Sequence, residues 1–584
     1  MDDFPPRPQG MKRGEAALLG LLLAGALGVR IWGLGQGYPQ FYGHVDEVGV
    51  AASIWNFFRS STLLPTEFTY PACYSYLVAV GLWASYWLGL IPDIGGCGDS
   101  LILYSFVDPA WSALVGRCLS AGASTSIVLF TYLLGRRACN RGIAGGAAVF
   151  VAFSTVSVQQ AHNALPDSSM ALFAAICFYA SWRIYERGHW FDYGMAGVAA
   201  GLVVATKYNG AFTALVIVAA HLVREEGGGW ARKLMGGRLW MAIGLACIAL
   251  FSGSPYLFLA HEKYRTLMEY QVSSLGFSLR ETSPWWWIVR DLVVEEYAVG
   301  VLMLGGMGWA LYRRKPLDYL FLAAWVPSFF YIGSWTRESW HYLLHFYPLL
   351  ALGAGRLLQG LNRRFAVGRK GDWMFWIGVG LLVLPNLQQV VQRDRFLART
   401  DTRATAAAWI EENIPDGARL GMTWLPYCPR LSLKTARQSI FARYRGDERA
   451  LVRLRQAWEG EPAYELVNLE VWLKRPVVPD AYRKTVDLED PETRRIFSRG
   501  WLNPRQLRKR GVEYIILPEA AYQRYLGEPP PAPEGSAVRY HYLKNRAYFS
   551  QLIAPENRAT ELVASFPPGR ETRGGGIHIF RLLP

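Results

Sequence analysis

Asp46 and Glu47 stand side by side, two residues after His44, in the stretch FYGHVDEVGVAASIWNFFRSSTLLPTEFTYP that links two long apolar runs. Charged side chains wedged between membrane segments are costly to keep, which makes them functional candidates first. On a helix over residues 44 to 58 neighbouring side chains diverge, so the two carboxylates address different places. One would face a reaction centre and the other would orient a neighbour or a metal. A carboxylate here suits a general base toward an acceptor hydroxyl. It equally suits a helix start, where the helix dipole favours negative charge.

Three further stretches carry side chains of the same kind. HNALPDSSM places His162 and Asp167 between two apolar runs, and Asp167 also fits a helix N-cap. Lys207 and Tyr208 sit in VVATKYNGAF. The lysine could snorkel to the headgroups or offer a compact cation to a lipid-borne phosphate. In WTRESWHYLLHFYP, beside Arg337, an α-helix would put Glu338 and His341 on one face and His341 and His345 on one face. That spacing permits a metal without matching HExxH. The tract Ser283-Pro284-Trp285-Trp286-Trp287 reads as an aromatic interface belt.

The elements that must hold these groups are membrane helices. The chain has 584 residues, is 52% hydrophobic and 14% aromatic, and has a mean hydropathy of +0.11. Its formal charge of +15 is not a nucleic-acid footprint, because much of it sits in short clusters between apolar runs. Arg136-Arg137-Arg141, Arg232-Lys233-Arg238, Arg313-Arg314-Lys315 and Arg363-Arg364-Arg369-Lys370 follow the positive-inside pattern and mark cytoplasmic loops. The apolar run 16–34 reads as a retained first helix with its N-terminus inside. Segment 72–91 is placed in or dipping into the outer leaflet, and 112–134 as the next span. Further spans follow near 143–160, 168–186, 190–206, 210–223, 240–258, 291–311, 317–335, 341–358 and 373–390, about eleven crossings in all. This topology places Asp46, Glu47, His162, Asp167, Lys207, Arg337, Glu338 and His341 on the outer side.

The expected architecture is therefore mostly α. Residues 1–14 form a cytoplasmic segment, 15–390 a polytopic helical domain whose first external loop carries membrane-parallel helices, and 391–584 an extracytoplasmic soluble α/β domain. In the last part, DTRATAAAWIEENI predicts an amphipathic helix capped by Asp401 or Thr402 and closed by Pro415. EYIIL at 513–517 and IHIFRL at 577–582 predict strands. The arginine-dense stretch 437–455 reads as a solvated face. The seven cysteines lack metal-ligand spacing, and a Cys73–Cys97 disulfide is open.

The HxDE pair, TYPACYSYL, VGRCLSA, the GRR loop, QQAHNALPDSSM, ATKYNG and HYLLHFYP occur in that order. Together they resemble the polyprenyl-phosphate-sugar-dependent integral membrane glycosyltransferases of the GT-C superfamily. The similarity covers roughly residues 15–390, and the nearest branch is the one shared by protein O-mannosyltransferases and the lipid A aminoarabinose transferase (glycosyltransferase family 39). The resemblance implies that Asp46 is a base or acceptor-site residue with Glu47 as its partner, and that Asp167 is the acidic residue of the second external loop. It implies that Lys207 holds the lipid phosphate, aided by His341 and Arg117, with His44, His162, Tyr208, Arg337 and Glu338 around the substrates. The family's basic residue before the dipping helix is missing from Thr69-Tyr70-Pro71-Ala72. The expected partners are a polyprenyl-phosphate-linked sugar donor, a protein, lipid or glycan acceptor and membrane lipids, and no nucleic acid. The expected location is the inner membrane, multi-pass. No nucleotide-binding motif is present, and a divalent cation on Asp46, Glu47 and His162 stays open. The other readings are a transporter or channel, and a GT-C-fold scaffold without activity.

Overall fold

The computed structural model describes residues 10–40, 43–224, 229, 233–274, 276, 279–280, 284–365, 369–423, 427–553 and 559–583. Of the residues singled out above, Phe41, Arg232 and Ser283 lie outside that set. The described residues are mostly helical, with a few strands confined to the C-terminal part. Two compact units emerge, and their boundary is not the sequence position 390. The first comprises residues up to Leu34, Gly49–Leu90 and Trp111–Ala398; the second comprises Gly35–Val48, Ile91–Ala110 and Arg399–Pro584.

The first unit holds α1 (Arg13–Ile31), most of α2 (Glu47–Arg59) and α3 (Cys73–Trp87), and later α5 (Trp111–Ala138), α6 (Arg141–Ala152), α7 (Thr155–Ala161), α8 (Asp167–Glu186) and α9 (Trp190–Thr206). A 3₁₀ turn, Tyr208–Ala214, leads into α10 (Leu215–Val223). Then come α11 (Gly237–Gly253), α12 (His261–Ser274), α13 (Trp286–Arg313) and α14 (Pro316–Gly333), a second 3₁₀ turn at Trp340–Phe346, α15 (Tyr347–Phe365) and α16 (Arg369–Leu397). Nearly every segment expected to span is a helix. Among the described residues three helices are long and apolar enough to cross a membrane: Arg13–Ile31, Trp111–Ala138 and Gly371–Leu397. The pair α6 and α7 meets the same criterion only when taken together, and it is bent by 54° at the break. Others, such as Trp190–Thr206 and Gly237–Gly253, are apolar but shorter.

Small residues let these helices approach. A β-carbon at Gly197 or Gly201 of α9 would overlap the carbonyl oxygens of Ala242 and Ala246 on α11. A small-xxx-small stripe on each helix is how apolar helices pack closely where water supplies no driving force. The bend between α6 and α7 is held electrostatically. The buried Arg30 donates to the terminal carbonyls of α6, Ala152 O at 2.8 Å and Val151 O at 3.2 Å. The buried Glu296 of α13 accepts from Ser154 Oγ at 2.7 Å and from the Val156 amide at 3.2 Å at the start of α7. A cation at a helix C-terminus and an anion at an N-terminus each match the local dipole. Tyr347 and Asn386 complete the carboxylate's bonds.

The second unit contains α4 (Cys97–Val107), β1 (Thr400–Asp401), α17 (Thr402–Asn413), β2 (Arg419–Met422), α18 (Lys434–Arg443), α19 (Glu448–Trp458), β3 (Glu465–Asn468), β4 (Glu470–Trp472), α20 (Pro491–Ser498), β5 (Arg499–Trp501), α21 (Pro504–Lys509), β6 (Tyr514–Pro518), α22 (Glu519–Leu526), α23 (Ala537–Ile553), β7 (Thr560–Phe566), β8 (Thr572–Arg573) and β9 (Ile577–Leu582). The main sheet has the order β3-β2-β6-β9-β7. β2 runs parallel to β3 and β6, and β9 runs antiparallel to β6 and β7. Alternation along β6 sends Ile515 and Leu517 into one core and Ile516 into another, so both faces of the sheet are covered. The predicted helix at 402–413 is present, and the Asp401 carboxylate caps it at the Arg403 amide, 3.0 Å away.

Two early segments join this unit for specific reasons. Arg430 donates to Pro39 O at 3.1 Å and to Asp108 Oδ1 at 3.2 Å, and its amide bonds Gln40. Ile94 and Leu103 share an apolar cluster with Ile440 and Leu454. The seven cysteines are all free thiols, so Cys73 and Cys97 are not paired.

Candidate functional site

Asp167 opens α8 but does not cap it. Its carboxylate instead accepts from Lys207 Nζ at 2.7 Å, with 1% and 7% of the two side chains exposed. Lys207 stands where α9 ends and the 3₁₀ turn begins, so the break in helix delivers its side chain inward. It does not snorkel. The ammonium lies 5.3 Å from the ring centroids of both Tyr70 and Tyr342, cation–π contacts that offset part of its desolvation. A buried pair of this kind is held only when partners satisfy both ions. Asn209, two residues on, donates to Tyr342 O, which ties the two 3₁₀ turns together.

The turn at 340–346 corrects the expected face sharing. In a 3₁₀ helix residues three apart eclipse, so His341 and His345 diverge. His341 is half-buried, with Nδ1 2.6 Å from Ser339 Oγ. His345 is fully buried in the turn that also carries Tyr342. Sequence reasoning weighed His345 only as a metal ligand beside His341, and passed over Tyr70 and Tyr342 as site residues. The only signal for them was the TYP and HYLLHFYP motifs that contain them.

Glu338 does not pair with His341 toward a metal. It accepts from Arg280 and from Arg290, each at 2.8 Å, which holds its carboxyl below the usual range. The Arg337 amide bonds Gly276 O at 2.8 Å. Tyr208 Oη reaches Phe68 O at 3.4 Å, and its ring packs 5.9 Å from that of Tyr264.

Arg117 and His162 are structural in their visible bonds. Arg117 is 2% exposed and donates to Leu34 O at 3.2 Å. His162 has Nδ1 2.8 Å from Val158 O and Nε2 2.9 Å from Trp32 O, with Asp394 3.6 Å away. Both ring nitrogens face backbone carbonyl oxygens, so the imidazole is held by the main chain on both sides.

In the second unit, Glu47 is 1% exposed, and its Oε2 accepts from the amides of Gly43 at 2.8 Å and His44 at 3.0 Å. It therefore closes the turn that presents Asp46. The Asp46 amide donates to His44 Nδ1 at 3.2 Å, and Asp46 itself is half-buried. Of the two adjacent carboxylates, the structure thus spends Glu47 on shaping the loop. Among the described residues no group of three His, Cys, Asp or Glu side chains gathers as a metal site.

Residues 100–254, which contain Arg117, His162, Asp167, Lys207 and Tyr208, match the family described as dolichyl-phosphate-mannose-protein mannosyltransferase. The resemblance carried by the motif order is borne out over this stretch. A curated relative is undecaprenyl phosphate-alpha-4-amino-4-deoxy-L-arabinose arabinosyl transferase 1 of Pseudomonas fluorescens, 24% identical over 317 residues, which are 51% of this chain and 56% of the relative. The corresponding transferase of Pseudomonas aeruginosa is 24% identical over 286 residues, covering 46% and 51% of the two chains. The chain thus spans about half the length of the curated relatives it matches. Among solved structures, ArnT from Cupriavidus metallidurans bound to undecaprenyl phosphate aligns with a TM-score of 0.46 at 16% identity, covering 77% of this chain and 93% of that one. The archaeal oligosaccharyltransferase AglB from Archaeoglobus fulgidus, with an inhibitory peptide and a dolichol-phosphate, aligns at 0.44 and 12%, covering 88% and 71%.

Proposed function

We propose that this chain is an integral membrane glycosyltransferase that moves a sugar from a polyprenyl-phosphate carrier to an acceptor hydroxyl on the extracytoplasmic side. The observation that carries this reading is the buried Asp167–Lys207 pair, which lies inside the family-matched stretch 100–254. Polyprenyl-phosphate sugars arrive with an activated leaving group, so the protein needs a base for the acceptor and fixed positive charge for the phosphate. Asp46 takes the acceptor hydroxyl proton as the new bond forms at the anomeric carbon. The bond from that carbon to the phosphate oxygen breaks, and the carrier phosphate leaves with the electron pair. Attack opposite the leaving phosphate inverts the anomeric configuration.

Lys207 is the cation assigned to the departing phosphate, held in place by Asp167 and framed by Tyr70 and Tyr342. His341 is a second donor. Glu47 and Arg117 act as positioning residues, the first on the Asp46 loop and the second on the chain at Leu34. In this reading the helices from 15 to 390 make about eleven crossings, the shorter apolar ones included, and the N-terminus is cytoplasmic. The residues after 391 then lie outside. Hexose and pentose donors fit this chemistry alike.

The test is transfer of label from a radiolabelled membrane lipid fraction to envelope material, with wild type compared against Asp46→Asn and Lys207→Gln. Label should leave the lipid pool only with wild type, and the fraction that receives it names the acceptor. Equal transfer by wild type and a well-folded Asp46→Asn protein overturns the role of Asp46.

A further inference from the structure

The second unit holds a cavity that the proposed transfer step does not use. It measures about 160 Å³ and lies where the chain leaves the carboxyl ends of two parallel strands: Tyr427 follows β2, and Pro518 and Ala520 end and follow β6. Antiparallel β9 begins at the same end, with Ile577 in the wall. The crevice outside the carboxyl ends of parallel strands is where open α/β sheets place small ligands.

One wall is rich in donors. Arg403 grips Asp401 through both carboxylate oxygens, at 2.8 and 2.9 Å, and Arg573 donates to the same carboxylate at 3.0 Å and to Gln36 at 3.1 Å. Two guanidiniums to one carboxylate give this triad a surplus positive charge, in side chains only 12%, 6% and 7% exposed for Arg403, Asp401 and Arg573. His44 also lines the cavity, and because its Nδ1 accepts from the Asp46 amide, the neutral ring carries its proton on Nε2. Gly574, at a φ of +100°, and Gly575 bring bare main chain to the lining. The nearby Glu519 carboxylate is engaged by the Gly576 amide at 3.0 Å and by His578 at 3.2 Å. The opposite character comes from Val45, Pro518, Ala520 and Ile577.

A cationic, donor-rich wall beside an apolar one fits a small molecule with an oxyanion and a ring face. We propose that this cavity binds the carboxylate or phosphate of an anionic saccharide, with Arg403 and Arg573 holding the charge and His44 as a further donor. The site stands on the geometry of the second unit and does not depend on the transferase reading. It does place a ligand against the loop that carries Asp46.

The test is equilibrium binding by calorimetry to the full-length protein in detergent, using methyl glucuronide, glucose 6-phosphate and neutral methyl glucoside. At least one anionic probe should bind saturably, at least about tenfold more tightly than the glucoside, and which anion wins identifies the class. Ala520→Trp or Val45→Trp fills the cavity without touching the triad; the one that keeps the wild-type melting temperature should lose that binding. Failure of both anions to bind, equal binding of the glucoside, or undiminished binding by a folded cavity-filled variant each overturns the proposal.

Discussion

Lys207 is a cation whose value depends on a partner forty residues earlier in the chain. Removing it with Lys207→Met strands the buried Asp167 carboxylate, a change that costs about 3–5 kcal/mol in comparable buried pairs. The melting temperature in detergent should fall, and Asp167→Asn in the same chain should restore much of it, while transfer stays lost in both. Recovery of stability without activity separates the structural from the chemical role. His541 offers a second residue-level outcome. Burial, and then Arg499, Arg524, Arg495 and Lys544 around it, push its ring down to about 4. The folded value lies below the ordinary value of about 6.5, so the unfolded chain binds more protons between those limits. The contribution of His541 to the stability of the α/β unit is therefore complete above about 6.5 and is lost as pH falls toward 4. Hydrogen exchange at β6 should accelerate through that window, and His541→Gln should flatten the slope. Asp167 and Lys207 were each legible in the sequence as charges between apolar runs. Their pairing was not, because each sits in its own motif and only the fold closes the gap.

At the scale of elements, the sequence expected one span over 143–160, and the chain instead breaks at Phe153–Ser154 into α6 and α7. No proline announces the break; Ser154 as N-cap is the one local sign. What holds it, Arg30 on one side and Glu296 on the other, comes from 121 or more residues away in sequence and could not be read locally. Ser154→Ala should cost about 1 kcal/mol as a lost cap. Glu296→Leu should cost more, because Ser154, the Val156 amide, Tyr347 and Asn386 all lose their acceptor. Thermal unfolding of the two variants in detergent checks the order. The strands at 514–518 and 577–582 and the helix at 402–413 were legible because alternation and capping are local rules. The 3₁₀ turn at 340–346 was not, since its apolar pattern suits an α-helix equally well.

For the whole molecule, composition and the basic loops led to the expectation of a membrane protein with a separate C-terminal α/β part. They did not reveal that residues 35–48 and 91–110 fold with that part, because Arg430 and the Ile440 cluster recruit them across more than 300 residues. The proposed orientation has a direct check. Alkaline phosphatase fused after Leu583 should be active, and the same reporter fused near Arg137 or Arg314 should be inactive, since only the outer side supports it. The free state of all seven cysteines has a consequence for handling such a protein. Its α/β unit needs no oxidative folding step, and its one buried thiol there, Cys428, is pushed up to about 12 by burial and stays inert at neutral pH. Strong reductants can be kept in every buffer, and the fold can be made in a reducing compartment or a cell-free system without a disulfide isomerase.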